Sequence, residues 1–320
     1  MTDPPLGLEK PIVDIAHPTA VALSDPTIDA GLELKTRSQW SYARNRFLRH
    51  RLAMGGLLGL VLLFGAGIFA GVVAPYPVDQ IDLTHVLQAP TTQGHHFLGT
   101  DGIGRDFLSR ILFGVRTSEE VGVFVAVVSS FIGLVVGAIA GYYSGLLDNV
   151  LMRLTDLTLT LPLFAVLATA SALLGQGSQW RISIILALLL WTTIARIVRG
   201  VFLSLREKEY VEAAKASGAG DLRIMFRHIL PNTLGPIVVA GTIAVATAIL
   251  IEAALSFLGF GIKPPTPSLG VLISDGQSYP QQWWLTVFPG LTIVLIVLCI
   301  NFIGDGLRDA LDPQQRRIRA

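Results

Sequence analysis

Stretches free of Asp, Glu, Lys and Arg recur along the chain at close to the ~20 residues that a helix needs to cross a hydrocarbon core. Five are clear: Leu52–Ala74, Val121–Gly141, Leu157–Gly175, Thr233–Ile251 and Leu285–Gly304. A shorter run, Ile182–Ala195, reaches only ~21 Å at 1.5 Å per residue. It must therefore continue through Ile197 and Val198, with Arg196 and Arg199 snorkelling to the headgroups from one helix face. The pattern predicts an all-α integral membrane protein with six transmembrane helices.

The segments between the runs divide the chain further. Residues 1–36 mix prolines, acids and small residues without helical period and read as a disordered cytoplasmic tail. Residues 37–74 hold an interfacial helix and the first span: WSYARNRFLRHR, from Trp40 to Arg51, alternates aromatics with cations, as suits the inner leaflet. Residues 75–118 form an extracytoplasmic loop. From Asp106 onward, Phe107, Leu108, Ile111, Leu112 and Val115 carry an amphipathic helical period, with Arg105, Arg110 and Arg116 on the polar side. Residues 119–312 are the core with the other five spans, and 313–320 are a cytoplasmic tail.

Within that core, residues 205–231 are the most informative stretch. They predict two short helices with a glycine joint. On the first, Tyr210, Ala213, Ala214 and Ser217 share a narrow face of mostly small residues. Gly218 and Gly220 permit a sharp turn. Asp221 is the expected N-cap of the second helix, whose apolar stripe is Leu222, Met225, Phe226 and Ile229, opposite Arg223 and Arg227; Pro231 should stop it.

Charge placement gives orientation. Lys and Arg number seven through Arg51, seven between Arg196 and Arg227 and four from Arg308 onward, against three, one and one in the segments that alternate with these. Arg153 alone marks the remaining segment. Both termini and the hairpin are thus expected on the cytoplasmic side of the membrane. Charged residues are only 15% of the chain and the net charge is +1, so neither a soluble domain nor a nucleic-acid partner is indicated. The single cysteine, Cys299, excludes an intrachain disulfide.

No GxxxxGK[ST] loop, HExxH or GxSxG occurs, so the chain lacks an ATP cradle and familiar hydrolytic signatures. His85, His95 and His96 read as exposed loop histidines, with metal ligation the lesser reading. Glu252 is expected at the outer boundary as an interfacial acid, and Asp156 and Asp305 at inner span ends. Trp283 and Trp284 should lie in the outer aromatic belt, and Pro264, Pro265 and Pro267 forbid a regular helix there.

Glu212-Ala213-Ala214, Gly218 and Leu230-Pro231 resemble the "EAA" loop of ABC importer permeases, whose pattern is EAA, three residues, Gly, nine residues, Ile, one residue, Leu-Pro. His228 stands where that pattern has Ile. Leu98-Gly99-Thr100-Asp101 with Gly104-Arg105-Asp106, and Leu255-Ser256-Phe257-Leu258-Gly259-Phe260-Gly261 followed by Pro264-Pro265-Thr266-Pro267, are similar to the C-type subunit of the dipeptide/oligopeptide branch. The resemblance covers about residues 40–313.

It implies a type I importer permease architecture with a coupling hairpin formed by Glu212, Ala213, Ala214, Gly218, Leu222, Met225, Phe226, Ile229 and Pro231. In that reading Glu212 makes a charged contact with an ATPase, Gly218 supplies the turn, and Met225, Phe226 and Ile229 supply the docking surface. The implied partners are a paralogous permease subunit, ATP-binding cassette subunits that hold the ATP, an extracytoplasmic substrate-binding protein and membrane lipid. This chain needs no cofactor, metal or catalytic residue of its own. Peptides are the implied cargo, although similar permeases carry nickel chelates or glutathione. The competing class is a secondary transporter, which usually shows mid-membrane charges or broken helices.

Overall fold

A computed structural model describes residues 39–174 and 177–311. The expected tails, 1–36 and 313–320, lie outside the described residues. Every named element is helical. These are α1 (Gln39–Arg49), α2 (Arg51–Ile68), α3 (Ala70–Val73), α4 (Phe107–Tyr143), α5 (Gly145–Thr160), α6 (Leu163–Leu174), α7 (Gln179–Arg206), α8 (Glu209–Ala216), α9 (Asp221–Arg223), α10 (Leu230–Phe257), α11 (Leu269–Gln277) and α12 (Trp284–Leu311). Among the described residues five helices are long and apolar enough to cross a bilayer, and a bent pair, α5 with α6, brings the count to six when it is taken as one broken span.

That pair corrects the expected straight third span. Leu157–Gly175 crosses a break at Leu161-Pro162, where the chain turns by 83°. Pro162 has no N–H to continue the α5 ladder, and its ring pushes Leu161 to extended backbone, φ −70° and ψ 132°.

The second span differs in the opposite sense. The amphipathic helix expected within 75–118 and the run from Val121 are one 37-residue helix, α4. No proline interrupts residues 107–143. At 1.5 Å per residue α4 is ~56 Å long, nearly twice a hydrocarbon core, so its first turns project past the bilayer. Arg110 is not on a polar face: its side chain is fully buried, 3.7 Å from the Asp101 carboxylate. Arg116 is exposed and pairs with Glu120 at 3.0 Å.

Close backbone approach builds the centre. Gly133, Gly137 and Gly141, four apart on α4, lie against Ile194, Ala195, Val198, Arg199 and Phe202 of α7. A Cβ at Gly137 would collide with the carbonyl oxygen of Ala195. Without side chains in the way, the two helices pack backbone to backbone, where dispersion does the work that hydrophobic transfer cannot do in lipid. Near one end of this pair, Arg199 grips both oxygens of Asp148 on α5, with Nη2 to Oδ2 at 2.6 Å, and Arg196 meets Asp156 at 2.6 Å. The two arginines expected to snorkel to lipid are instead tied to α5.

Alternation of spans sorts the connections onto two faces. Segment 74–106 and the 258–283 connection share the loop face, where Trp284 Nε1 donates to the Thr100 carbonyl at 3.5 Å. Trp284 is therefore buried rather than in an aromatic belt, while Trp283 is 55% exposed. The Leu98–Asp106 motif folds as a tight turn: Asp101 accepts from the Ile103 and Arg105 amides at 3.0 and 2.9 Å. Asp106 then caps α4 by accepting from the Ser109 amide at 2.8 Å. Its other oxygen meets His96 Nδ1 at 2.9 Å, so His96 is buried, not exposed, and stacks on Tyr76. Hydrogen bonds from Thr84 and His85 hold the exposed Asp82 carboxyl down to about 2. Among the described residues no group of three His, Cys, Asp or Glu side chains converges to hold a metal ion.

Glu252 is the largest departure on this side of the molecule. Expected at an interface, it is completely buried on α10. Its Oε1 accepts from Ser256 and Ser268 at 2.7 Å each, and Oε2 accepts from Ser118 of α4 at 3.2 Å. Three hydroxyls from three stretches of chain converge on it, which is how a carboxyl is tolerated away from water.

Candidate functional site

The hairpin between α7 and α10 lies on the opposite, hairpin face. Helix α8 has Glu209 and Glu212 in its first turn and Lys215 in its last, an arrangement that complements the helix dipole. It ends in a Schellman cap: the Gly218 amide donates to the Lys215 carbonyl at 2.9 Å and the Ala219 amide to Ala214 at 3.1 Å. Gly218 has φ +78°, and nothing stands within 4 Å of where its Cβ would be. Backbone conformation alone therefore requires glycine here. Gly218→Ala is expected to cost about 1 kcal/mol, seen as faster proteolytic cutting between α8 and α9 with the spans intact; unchanged cutting would refute the requirement.

The second arm differs from expectation in three ways. Asp221 is the first residue of α9 and not its cap, which is Gly220. The Asp221 carboxylate instead accepts from the Tyr142 hydroxyl at 2.7 Å, fastening the arm to the end of α4. Pro231 does not stop the arm. The chain stays helical from Asp221 to Phe257, and Pro231 is the second residue of α10, which follows directly on the π turn Ile224–Ile229.

Most consequentially, Ile224–Ile229 is a π-helical turn. Its i→i+5 winding aligns Ile224 with Ile229 and splits the expected single stripe in two. Ile224, Met225 and Ile229 are 1%, 7% and 0% exposed and turn inward, joining Val211 of α8, Tyr142 of α4, Val198 and Phe202 of α7, and Ala240 and Ala244 of α10. Leu222 and Phe226 turn outward and are 67% and 63% exposed. Arg223 and Arg227 beside them are exposed as well. Met225 and Ile229 are thus core residues of this protein and cannot themselves be a docking surface.

Glu212 and Ala213 are exposed, Ala214 is half-buried against the arm's inner face, and Gly218 and Pro231 are exposed. Partial burial pushes the Tyr210 phenol above its usual value, opposed by a hydrogen bond with Asn232. Nearby, Arg206 Nη1 donates to the Tyr142 carbonyl at 2.9 Å. Val211, Ile224, Tyr142 and Arg206, none singled out from sequence, are what weld the hairpin to α4, α7 and α10. The result is a rigid projection with a small exposed patch: Leu222 and Phe226 between two arginines.

Comparison with known proteins bears on what such a projection belongs to. Residues 133–317 match the binding-protein-dependent transport system inner membrane component family, and residues 38–90 match the N-terminal transmembrane domain of oligopeptide transport permease C. The chain is a member of this family of ABC importer permeases, within the C-type branch, and is a transport permease component. It is 42% identical over 276 residues to the oligopeptide transport system permease protein OppC of Mycobacterium tuberculosis, covering 86% of this chain and 94% of that one. It is 40% identical over 286 residues to OppC of Haemophilus influenzae, covering 89% and 92% respectively. A putative peptide permease protein of Brucella suis is 42% identical over 276 residues, covering 84% and 89%.

Proposed function

We propose that this chain is one of two permease subunits of an ATP-driven importer of oligopeptides, with the hairpin face in the cytoplasm. ATP is bound and hydrolysed by separate cassette subunits, and a substrate-binding protein delivers peptide to the loop face. The observation that carries this reading is the outward pair Leu222 and Phe226. Two large apolar side chains stand two-thirds exposed on a helix whose other face is locked into three spans. A groove on a cassette subunit would bury them, with Arg223, Arg227 and Glu212 at its rim. Closure of the cassette pair would then move the hairpin with α4, α7 and α10 as a unit, exposing a central cavity to alternate sides. The relatives' names support peptide as cargo.

The test is a mild-detergent pull-down of the tagged chain from its host, with identification of co-purifying proteins and an ATPase assay. Recovery of a paralogous six-span protein and cassette subunits with vanadate-sensitive hydrolysis is expected, and the reconstituted complex should carry a di- or oligopeptide across the vesicle membrane only with ATP. A chain recovered alone, without hydrolysis, would overturn the reading. Orientation is tested separately with Thr92→Cys and Lys215→Cys, both exposed positions, in a Cys299→Ala background. An impermeant maleimide should reach position 92 in intact cells and not position 215; the reverse pattern would place the hairpin outside.

A further inference from the structure

Helix α1 presents two unlike faces. Toward the protein, the Phe47 ring lies against Gly306 of α12, and His50 Nε2 stands 3.7 Å from the Asp309 carboxylate. Away from it, Tyr42 and Leu48 are 52% and 51% exposed, and Leu52 at the start of α2 is 59% exposed. Arg44, Arg49 and Arg51 are exposed among them. Arg44 and Leu48, four apart, share one line along the helix; Tyr42 and Arg49, seven apart, share the next. No Asp or Glu occurs between residues 39 and 51.

One residue sets where this face can be. His50 alone separates α1 from the first span; it is extended at φ −82° and ψ 101°, and its Nδ1 accepts from the Ala53 amide at 3.1 Å to start α2. Helix α1 therefore ends where the first span begins, and Phe47 against Gly306 and His50 beside Asp309 hold that end to α12. A face that joins aliphatic and aromatic side chains to unbalanced cations, held at that depth, fits a headgroup layer whose phosphates are negative.

We propose that α1 is a binding surface for anionic phospholipid headgroups in the leaflet on the hairpin face. Leu48, Leu52 and Tyr42 sit below the phosphate level, and Arg44, Arg49 and Arg51 bind phosphates around them. Phe47 and His50 couple the bound lipid layer to the end of α12.

The full-length chain in vesicles tests this directly. A fluorophore on Leu48→Cys, in the Cys299→Ala background, is quenched by brominated phosphatidylglycerol or by brominated phosphatidylcholine at equal mole fraction. Quenching by the anionic lipid should be about twofold greater at low salt, because each arginine near the surface draws anionic lipid toward it. The excess should vanish in Arg44→Gln/Arg49→Gln/Arg51→Gln and at high salt. A label on Leu58→Cys, 62% exposed on the first span, should be quenched alike by both lipids in both proteins, showing that the triple variant is inserted. Equal quenching at position 48 by the two lipids would overturn the proposal. So would no quenching by either lipid combined with an emission change when cassette subunits are added, which would make α1 a protein contact.

Discussion

Phe226→Asp is expected to leave the chain folded in the membrane while nearly abolishing its association with cassette subunits and, with it, transport. Phe226 makes none of the inward contacts that hold the hairpin and is 63% exposed, so a charge there costs the isolated protein little. In the proposed complex the ring would be buried, a contribution of about 2 kcal/mol. Its loss alone weakens binding roughly thirtyfold, and burying an unpaired carboxylate weakens it further. Leu222→Asp should act in the same direction. Met225→Asp separates docking from folding: that side chain is 7% exposed in the hairpin core, so the variant should lower yield and melting temperature even without partners. Co-purification by titrated affinity, with thermal melts of each variant in detergent, distinguishes the cases. Wild-type cassette binding by both Phe226→Asp and Leu222→Asp would remove this patch from the interface.

The patch illustrates what can and cannot be read from residue order. Leu222, Met225, Phe226 and Ile229 fall at helical spacing, and any reading at 3.6 residues per turn places them on one face. The π turn over Ile224–Ile229 changes the winding, so Met225 and Ile229 go inside, where Ile224 joins them, while Leu222 and Phe226 stay outside. Hydrogen-bond winding has no signature in composition. Gly218 was legible because a left-handed turn has few alternatives to glycine, and its φ of +78° follows from the joint between two short helices. The spans were legible because apolar length is a strong signal, and the extension of α4 back to Phe107 was legible in part, through its amphipathic period.

Two other features carried signals that hydrophobicity masks. Pro162 sits inside an apolar run, where run length argues for one straight span; its ring and missing N–H decide the 83° bend. The glycines at 133, 137 and 141 form a small-residue stripe at helical spacing, yet only the α7 backbone lying against them reveals what they serve. Buried charge was least legible of all. Arg110 and Glu252 each lie near an expected water boundary, and linear order gives no sign that the protein closes over them.

Glu252 supplies the other large expected effect. Its partners Ser118 and Ser268 lie 134 and 16 positions away, so the carboxyl pins α4 and the chain leading into α11 to the end of α10. Ser256 Oγ is spoken for twice, donating to Glu252 and accepting from the Ile262 amide at 3.0 Å. Glu252→Ala would strand the hydroxyls of Ser118 and Ser268 in a site closed to water and leave a cavity, a loss of about 4 kcal/mol at ~1–3 kcal/mol per buried unsatisfied group plus the packing term. Glu252→Gln keeps an oxygen for Ser256 and Ser268 and places an amide before Ser118, whose hydroxyl can turn to accept. The glutamine variant should therefore melt within a few degrees of the parent and still transport, whereas the alanine variant should melt far lower. A stable glutamine variant without transport would mean that the acid moves a proton rather than holding helices together. An alanine variant as stable as the parent would show that the three serines find other partners and that the pin is dispensable.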